Sequence, residues 1–477
     1  MENDWDEFVL GEVTSLRNGA GIKQEYFSEA EDAVPLVKVS NFTLDSVDIS
    51  EFTKVDAEHA VKWTSHLLKK KDTLIATVGS WPPNWSSVVG KVIRVPDEAE
   101  GSIQNQNTCC ILPTEAIDED FLYYVLRDKN FSNYIVNVAQ GSANQARVPV
   151  KKIGEYKFRG PKSKLAQAKI GKTLRILDEK LANSGRVSKT LEQIAQAIFK
   201  SWFVDFDPVI DNALAAGNDI PEALQYKAEQ RKQAQELAAS PEKNCKPLSD
   251  DIRALFPIEF EQTDEASIGI AGWIPKGWRV SSTDAELVIK GGSTPSTKNP
   301  DFWDGGDIHW TSPKDLSGID SKILLDTSRK ITEAGLAKIT SGLLPVDTVL
   351  MSSRAPVGYL ALAKVPLAIN QGYIALQCEK DLTPEYTMLF LDSIMDEIKG
   401  ISGGTTFAEI SKKTFRGIKL VVPSKPVINA FTLIAKTNYD KITENIKQTN
   451  SLTETRDYLL PKLVSGEISL TEVHYGR

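Results

Sequence analysis

GSANQARVPVKKIGEYKFRGP (Gly141–Pro161) returns 262 residues later as GGTTFAEISKKTFRGIKLVVP (Gly403–Pro423). Each stretch is a glycine-led loop, a basic pair, an alternating apolar strand and a closing proline. Outward from these two, Asn105-Gln106 matches Asn370-Gln371 at an offset of 265, and Trp5, Leu16 and Gly19 match Trp278, Ile289 and Gly292 at 273. A shared order with smoothly drifting offsets is the signature of an internal duplication. Asp72 pairs with Asp347 at 275, so the first half carries 10 extra residues before Asn105, within GSWPPNWSSVVGKVIRVPDEAEGS. With its prolines and tryptophans the insertion reads as a loop, and loops on rigid scaffolds carry function.

After each closing proline the pattern turns helical. Ile170, Leu174, Leu177, Leu181, Val187, Leu191, Ile194 and Ile198 trace an apolar seam, and a more polar one runs through Phe431, Ala435, Asn438, Ile442, Asn445, Thr449, Leu452 and Leu459. Two matched seams predict long helices that pack on each other in the coiled-coil manner, with Asn438 and Asn445 fixing register at some cost in stability. At about 1.5 Å per residue each rod is roughly 50–60 Å long. Before the helices, runs such as DTLIATV (Asp72–Val78) and DTVLMSS (Asp347–Ser353) alternate between turn residues, as strands and loops do. The expected fold class is α+β. Two mixed α/β domains, 1–160 and 271–424, are separated by two long antiparallel coiled-coil helices, 161–206 and within 425–477. A connector over 207–270 holds a short helix around Ala223–Ala239.

Of the 477 residues 41% are hydrophobic and 25% charged, an ordinary globular composition. The net charge of −8 argues at first against a nucleic-acid partner. Its distribution argues otherwise. Asp207–Glu265 holds 13 acidic and 6 basic residues, whereas Gly141–Lys172 holds 9 basic residues against the single Glu155. An acidic connector thus hides basic surface, and its carboxylates should keep it away from phosphates. No run of 18 apolar residues occurs and the start, MENDWDEFVLGEV, lacks a signal-peptide core, so a cytoplasmic, non-membrane protein is expected.

Catalytic motifs are missing. Gly171-Lys172-Thr173 ends like a P-loop, but Ala166 stands where the first glycine belongs. Trp81-Pro82-Pro83-Asn84 lacks the leading Asn or Asp of an adenine-methyltransferase loop, and Asp97, Glu98 and Glu100 form a loop-like acidic patch rather than a nuclease centre. The cysteines (109, 110, 245, 378) form no CxxC pair and the histidines (59, 66, 309, 474) are scattered, so neither a metal site nor a catalytic residue is expected.

AQAIFKSWFVDFDPV (Ala195–Val209), LLPKLVSGEI (Leu459–Ile468), KGGSTPS (Lys290–Ser296), SSRAPVGYLALAKVPLAINQG (Ser352–Gly372) and GTTFAEISKKTFRGIKLVVP (Gly404–Pro423) together resemble the specificity subunits of type I restriction-modification systems along nearly the whole chain. The first half departs, with Arg17-Asn18-Gly19-Ala20-Gly21 in place of the GGSTPS pattern, and the connector is longer than the family's. The resemblance implies two target-recognition domains, each reading half of a split double-stranded DNA site. It also implies spacer helices that dock two modification subunits and, through them, restriction subunits. S-adenosylmethionine, ATP and Mg are then expected on those partners, with no cofactor in this chain. A duplicated chain suits two half-sites as a two-fold dimer would.

On that reading Lys151, Lys152, Lys157, Arg159, Lys412, Lys413, Arg416 and Lys419 are candidates for phosphate contact. Asn41, Trp81, Asn84, Trp85, Lys298, His309, Lys314 and Asp315 are candidates for base reading, whereas Thr405-Thr406 and Asn370-Gln371 are expected to be structural or to face the DNA backbone. Two other readings compete: a methyltransferase or nuclease with an unrecognised site, and a coiled-coil scaffold that binds no DNA.

Overall fold

The computed structural model describes residues 4–84, 87–142, 145–238, 248–319, 321–354, 356–403 and 408–470. Cys245 and His474 lie outside them. Two compact units result, one of residues up to Asn183 together with those from Thr449 onward, the other Ser184–Gln448.

In the first unit, strand Trp5–Val9 lies antiparallel to Lys157–Pro161, Trp5 opposite Pro161 and Val9 opposite Lys157. The domain therefore opens and closes on one ribbon. A four-stranded sheet follows in the order Thr14–Asn18, Thr108–Pro113, Thr73–Ala76, Val92–Arg94, and a three-stranded one in the order Thr53–Val55, Val34–Val37, Ile103–Gln104. Val34–Val37 runs antiparallel to its first neighbour and parallel to its second. Helix Glu119–Arg127 starts at Asp118, whose carboxylate accepts from the Phe121 amide at 3.0 Å. The long helix Lys164–Phe199 is tied to this point through buried Gln167, which accepts from the Asp118 amide at 2.8 Å and donates to the Pro161 carbonyl at 2.8 Å.

The second unit repeats the path. Strand Arg279–Ser282 lies antiparallel to Lys419–Val422. A five-stranded sheet runs Val288–Lys290, Tyr373–Gln377, Val349–Ser352, Leu360–Ala363, Ile323–Leu324, and a three-stranded one Arg329–Ile331, Ile308–Thr311, Leu367–Ile369. Ile308–Thr311 is again antiparallel to one neighbour and parallel to the other. In the first unit Gln145–Arg147 also pairs with both Gln140–Ser142 and Val78–Gly79 at the start of the insertion, and in the second Glu409 bridges antiparallel to both Gly403 and Arg354 at the matching places. The α+β duplication expected from the sequence is the observed architecture.

The helices do more than leave their own domains. In the first unit Ile170 and Leu174 share a core with Leu460, Leu463 and Val464 from the end of the C-terminal helix, Lys425–Ser465. In the second, Ala195, Phe199, Trp202, Phe203 and Phe206 are buried with Phe431, Ala435 and Ile442. There Asn438 Nδ2 donates to the Leu191 carbonyl at 3.4 Å and Asn445 Nδ2 to Ser188 Oγ at 3.2 Å, an antiparallel pairing. Leu177, Leu181, Leu191, Ile198, Leu452 and Leu459 are half-buried. Val187 and Ile194 correct the seam: they are 36% and 43% exposed. Steps of three and four from Leu181 pass through Ser184, Ser188, Leu191, Ala195 and Ile198 instead, so both residues fall off the packed face.

The acidic segment is not a loose linker. Helix Asp207–Ala216 buries Val209, Ile210 and Ala213, and helix Glu222–Ala238 packs Leu224 and Ala228 against Ile210. Its carboxylates are partly matched from within, Asp211 by Arg231 at 2.5 Å and Glu229 by Lys232 at 2.8 Å.

Candidate nucleic-acid interface

Each domain builds a glycine turn against an Asn-Gln pair. A Cβ on Gly19 would stand 1.9 Å from the Asn105 carbonyl oxygen, and one on Gly292 1.8 Å from that of Ile369. Only glycine permits that approach. Asn105 Oδ1 accepts from the Asn107 amide at 3.1 Å, and Asn370 Oδ1 from the Gly372 amide at 2.8 Å. Gln106 Oε1 lies beside Gly21, and Gln371 Oε1 accepts from Thr294 Oγ1 at 2.8 Å. Both pairs therefore brace the turn. Thr405 and Thr406 lie outside the described residues.

In the second unit the turn continues into the loop 291–297, whose anchors the sequence reading missed. Trp303 Nε1 donates to the Ser296 carbonyl at 3.0 Å and Trp310 Nε1 to that of Ser293 at 3.3 Å. The Arg329 guanidinium sits 3.4 Å over the Trp303 ring and 5.6 Å from that of Trp310, a cation–π stack on an edge strand. The first unit has its own set: Tyr26 packs on His59 and Trp63, with Lys62 over Tyr26 at 5.0 Å and Lys38 over Phe27 at 4.9 Å. The available signal was two tryptophans within eight residues of a turn-rich loop.

The base-reading candidates scatter into different roles. Asn41 is spent locally, accepting from the Lys38 amide and donating to the Glu51 carbonyl, both at 3.0 Å. Trp81 staples the insertion to the ribbon, its Nε1 donating to the Ser142 carbonyl at 2.8 Å. Asn84 is exposed, and Trp85 lies outside the described residues. His309 Nδ1 is 3.1 Å from Asp326 Oδ1 and 3.3 Å from Thr327 Oγ1. Asp315 accepts from the Ser312 amide at 2.8 Å and the Ser328 amide at 2.9 Å. Burial raises its pKa, but those hydrogen bonds outweigh burial and hold the carboxyl below the usual range. Lys298 and Lys314 are exposed.

Of the phosphate candidates, four are engaged: Lys152 with Glu155 at 2.6 Å, Lys157 with Glu7 at 3.0 Å, Arg416 with Asp284 at 3.1 Å and Lys419 with Glu265 at 3.2 Å. Lys151, Arg159, Lys412 and Lys413 are exposed and make no ion pair among the described residues. Lys412 reaches the glycine turn itself, since a Cβ on Gly291 would meet its Nζ at 1.7 Å. An exposed ammonium beside a braced glycine turn is suited to holding a phosphate in place.

Comparison with known proteins follows the repeat. A family described as type I restriction modification DNA specificity domain matches residues 2–193 and again 275–456. A type I restriction enzyme specificity subunit of Haemophilus influenzae, HindI, is 27% identical over 480 residues, covering 98% of this chain and 100% of that one. The MjaIX specificity subunit of Methanocaldococcus jannaschii is 36% identical over 205 residues, covering 43% of this chain and 46% of its own. A crystal structure of the type I system S subunit from M. genitalium shares the fold, with a TM-score of 0.58 at 16% identity over 96% of each chain.

Proposed function

The chain belongs to the type I restriction modification DNA specificity family, and we propose that its two globular domains each read one half of a split double-stranded DNA target. The carrying observation is the duplicated strand path, each copy lying within one of the two family matches. Lys151 and Arg159 in one domain, with Lys412 and Lys413 in the other, would seat the phosphates. Base reading then falls to the loops beside the turns, where Lys298, Lys314 and the Arg329 stack are exposed or partly exposed. The helices carry the chain's partners: two modification subunits, and restriction subunits beyond them.

We assign no catalytic step to this chain. S-adenosylmethionine, ATP and Mg belong to the partners. In support, burial pushes the thiols of Cys109 and Cys378 up to about 12, which removes them as nucleophiles at neutral pH.

The test is the methylated motif, mapped genome-wide with the native modification subunit present. One bipartite motif is expected, and exchanging residues 1–160 for a relative's domain should change one half-site only. A continuous motif, or both halves altered at once, would refute the modular reading. Methyl transfer from labelled S-adenosylmethionine by the purified chain alone would refute the non-catalytic one.

A further inference from the structure

In the first unit one carboxylate gathers three partners from two other helices. Asp178, midway along the long helix, accepts from Arg127 Nη1 at 3.1 Å and from Tyr124 Oη at 2.8 Å, both on helix Glu119–Arg127. Its other oxygen accepts from Arg456 Nη1 of the C-terminal helix at 3.1 Å. The side chains of Asp178, Arg127 and Arg456 are only 16%, 12% and 10% exposed, in that order. Asp45 at 4.0 Å from Arg127 and Asp457 at 2.8 Å from Arg456 complete the charge balance from the outside.

A second ionic cluster nearby is part of the duplicated fold, and this one is not. Asp120, held by Arg94 at 2.7 Å and Arg175 at 3.0 Å, recurs 265 residues on as buried Glu385, which feels Lys364 and Lys436. Asp178 falls on Tyr439, Arg456 on Ala195, and Arg127 on Asp392. The Tyr439 hydroxyl is buried without a partner among the described residues, and Asp392 pairs instead with Lys322 at 2.7 Å and Gln196 at 2.9 Å. Among the described residues the Asp178 cluster therefore belongs to one half and has no counterpart at the matching positions of the other.

We infer that Asp178, through Arg127 and Arg456, is a positioning residue that selects one register of the two long helices and so fixes the gap between the half-sites. The inference rests on the two-domain reading proposed above. An apolar seam alone selects register weakly. Ile170, Leu174, Leu177 and Leu181 offer much the same surface after a slip of one turn. The same slip carries Arg456 about 5.4 Å past Asp178 and breaks the ion pair of a nearly buried guanidinium, while Asp178 stays with Arg127 and Tyr124, an outcome far costlier than mismatched methyl groups. A slip of that size corresponds to one or two base pairs at roughly 3.4 Å each.

The experiment compares methylomes of the assembled modification complex carrying the parent chain, Asp178→Asn, or the reversal Asp178→Arg with Arg127→Asp and Arg456→Asp. The parent should give one gap length. Asp178→Asn should keep both half-site sequences but admit sites with a gap one or two base pairs different, its preference for the parent gap falling about a hundredfold. The charge reversal should restore the single gap, a rescue that a loss of packing would not show. If Asp178→Asn folds and keeps the single parental gap, the inference is overturned. It is overturned equally if Asp178→Asn fails to fold and the reversal does not rescue it. A parent chain with no bipartite motif would instead overturn the functional reading beneath it.

Discussion

Trp202 follows the first domain in sequence, but it is 2% exposed in the second unit, its ring centred 5.0 Å from that of Phe256, 6.0 Å from Phe431 and 6.1 Å from Phe203. Trp202→Ala should therefore weaken the half-site read by residues 271–424 and spare the one read by residues 1–160. Emptying so enclosed a site costs about 3–5 kcal/mol, transfer and cavity terms together. For a unit of this size 1 kcal/mol moves the midpoint by roughly 2–4 °C, so a drop of roughly 6–20 °C is expected. Thermal melting of the complex gives the first readout. The second is methylation of duplexes in which one or other half-site is scrambled, followed as temperature rises. Discrimination at the second half-site should fail first, and Trp202→Phe should recover most of it. If the half-site assigned to residues 1–160 fails first, or the midpoint does not move, the assignment of this segment to the second unit is wrong.

The mirror-image experiment is Leu463→Ala, near the other end of the chain. That side chain is fully buried in the first unit's core, so the substitution should cost about 2–5 kcal/mol and damage the first half-site, again read by melting and scrambled duplexes. Gly292→Ala would force a Cβ to 1.8 Å from the Ile369 carbonyl oxygen, which backbone cannot yield cheaply. It should cost about 3 kcal/mol and abolish second-half-site methylation, while Gly19→Ala does the same to the first. Glu286 should govern an acid transition. Hydrogen bonds from Arg279 hold its carboxyl below the ordinary range. The stability it contributes is then present above the unfolded value of about 4.3 and is lost as pH falls through the lower native value. Glu286→Gln should flatten the second unit's unfolding profile below about pH 4, and an unchanged acid limb would count against the pair.

The duplication and both long helices were legible because they rest on local periodicity and on spacing. The destinations of the helix ends were not. AQAIFKSWFVDF (Ala195–Phe206) reads as the close of the first helix, and nothing in its pattern says that it packs against Phe431 and Tyr386. Sequence order and spatial order part there, because an antiparallel pair returns each helix end toward the other's start. The acidic segment misled in another way. Thirteen carboxylates hid the apolar Val209, Ile210 and Ala213, which sit on one face of a short helix and are fully buried. Trimming it, harmless for a linker, would here open a core. Among the site candidates, residue type alone could not separate an exposed lysine from a spent side chain: Asn41 and Asp315 have the right groups for base contact, but those groups already close turns.

The negative total charge is explained by where the charges are used. Within the acidic segment Asp207 and Asp211 face Arg231 and Glu229 faces Lys232, and just before it Asp205 faces Lys200 and Lys227, so part of the local negative charge is neutralised in place. Glu7, Glu155, Glu265 and Asp284 take up Lys157, Lys152, Lys419 and Arg416, which leaves each domain a small number of candidate cations without an ion pair among the described residues. Counterion release scales with the phosphates neutralised, not with net charge. On the function proposed above, Lys151, Arg159, Lys412 and Lys413 would anchor two domains on a duplex even though the chain carries −8 overall. They cannot supply the steep salt dependence of a long basic surface. With a slope of about 0.9 per phosphate, this chain alone should bind DNA with a logarithmic salt slope of about −4 or shallower. A much steeper slope in the assembled complex would have to come from its partners.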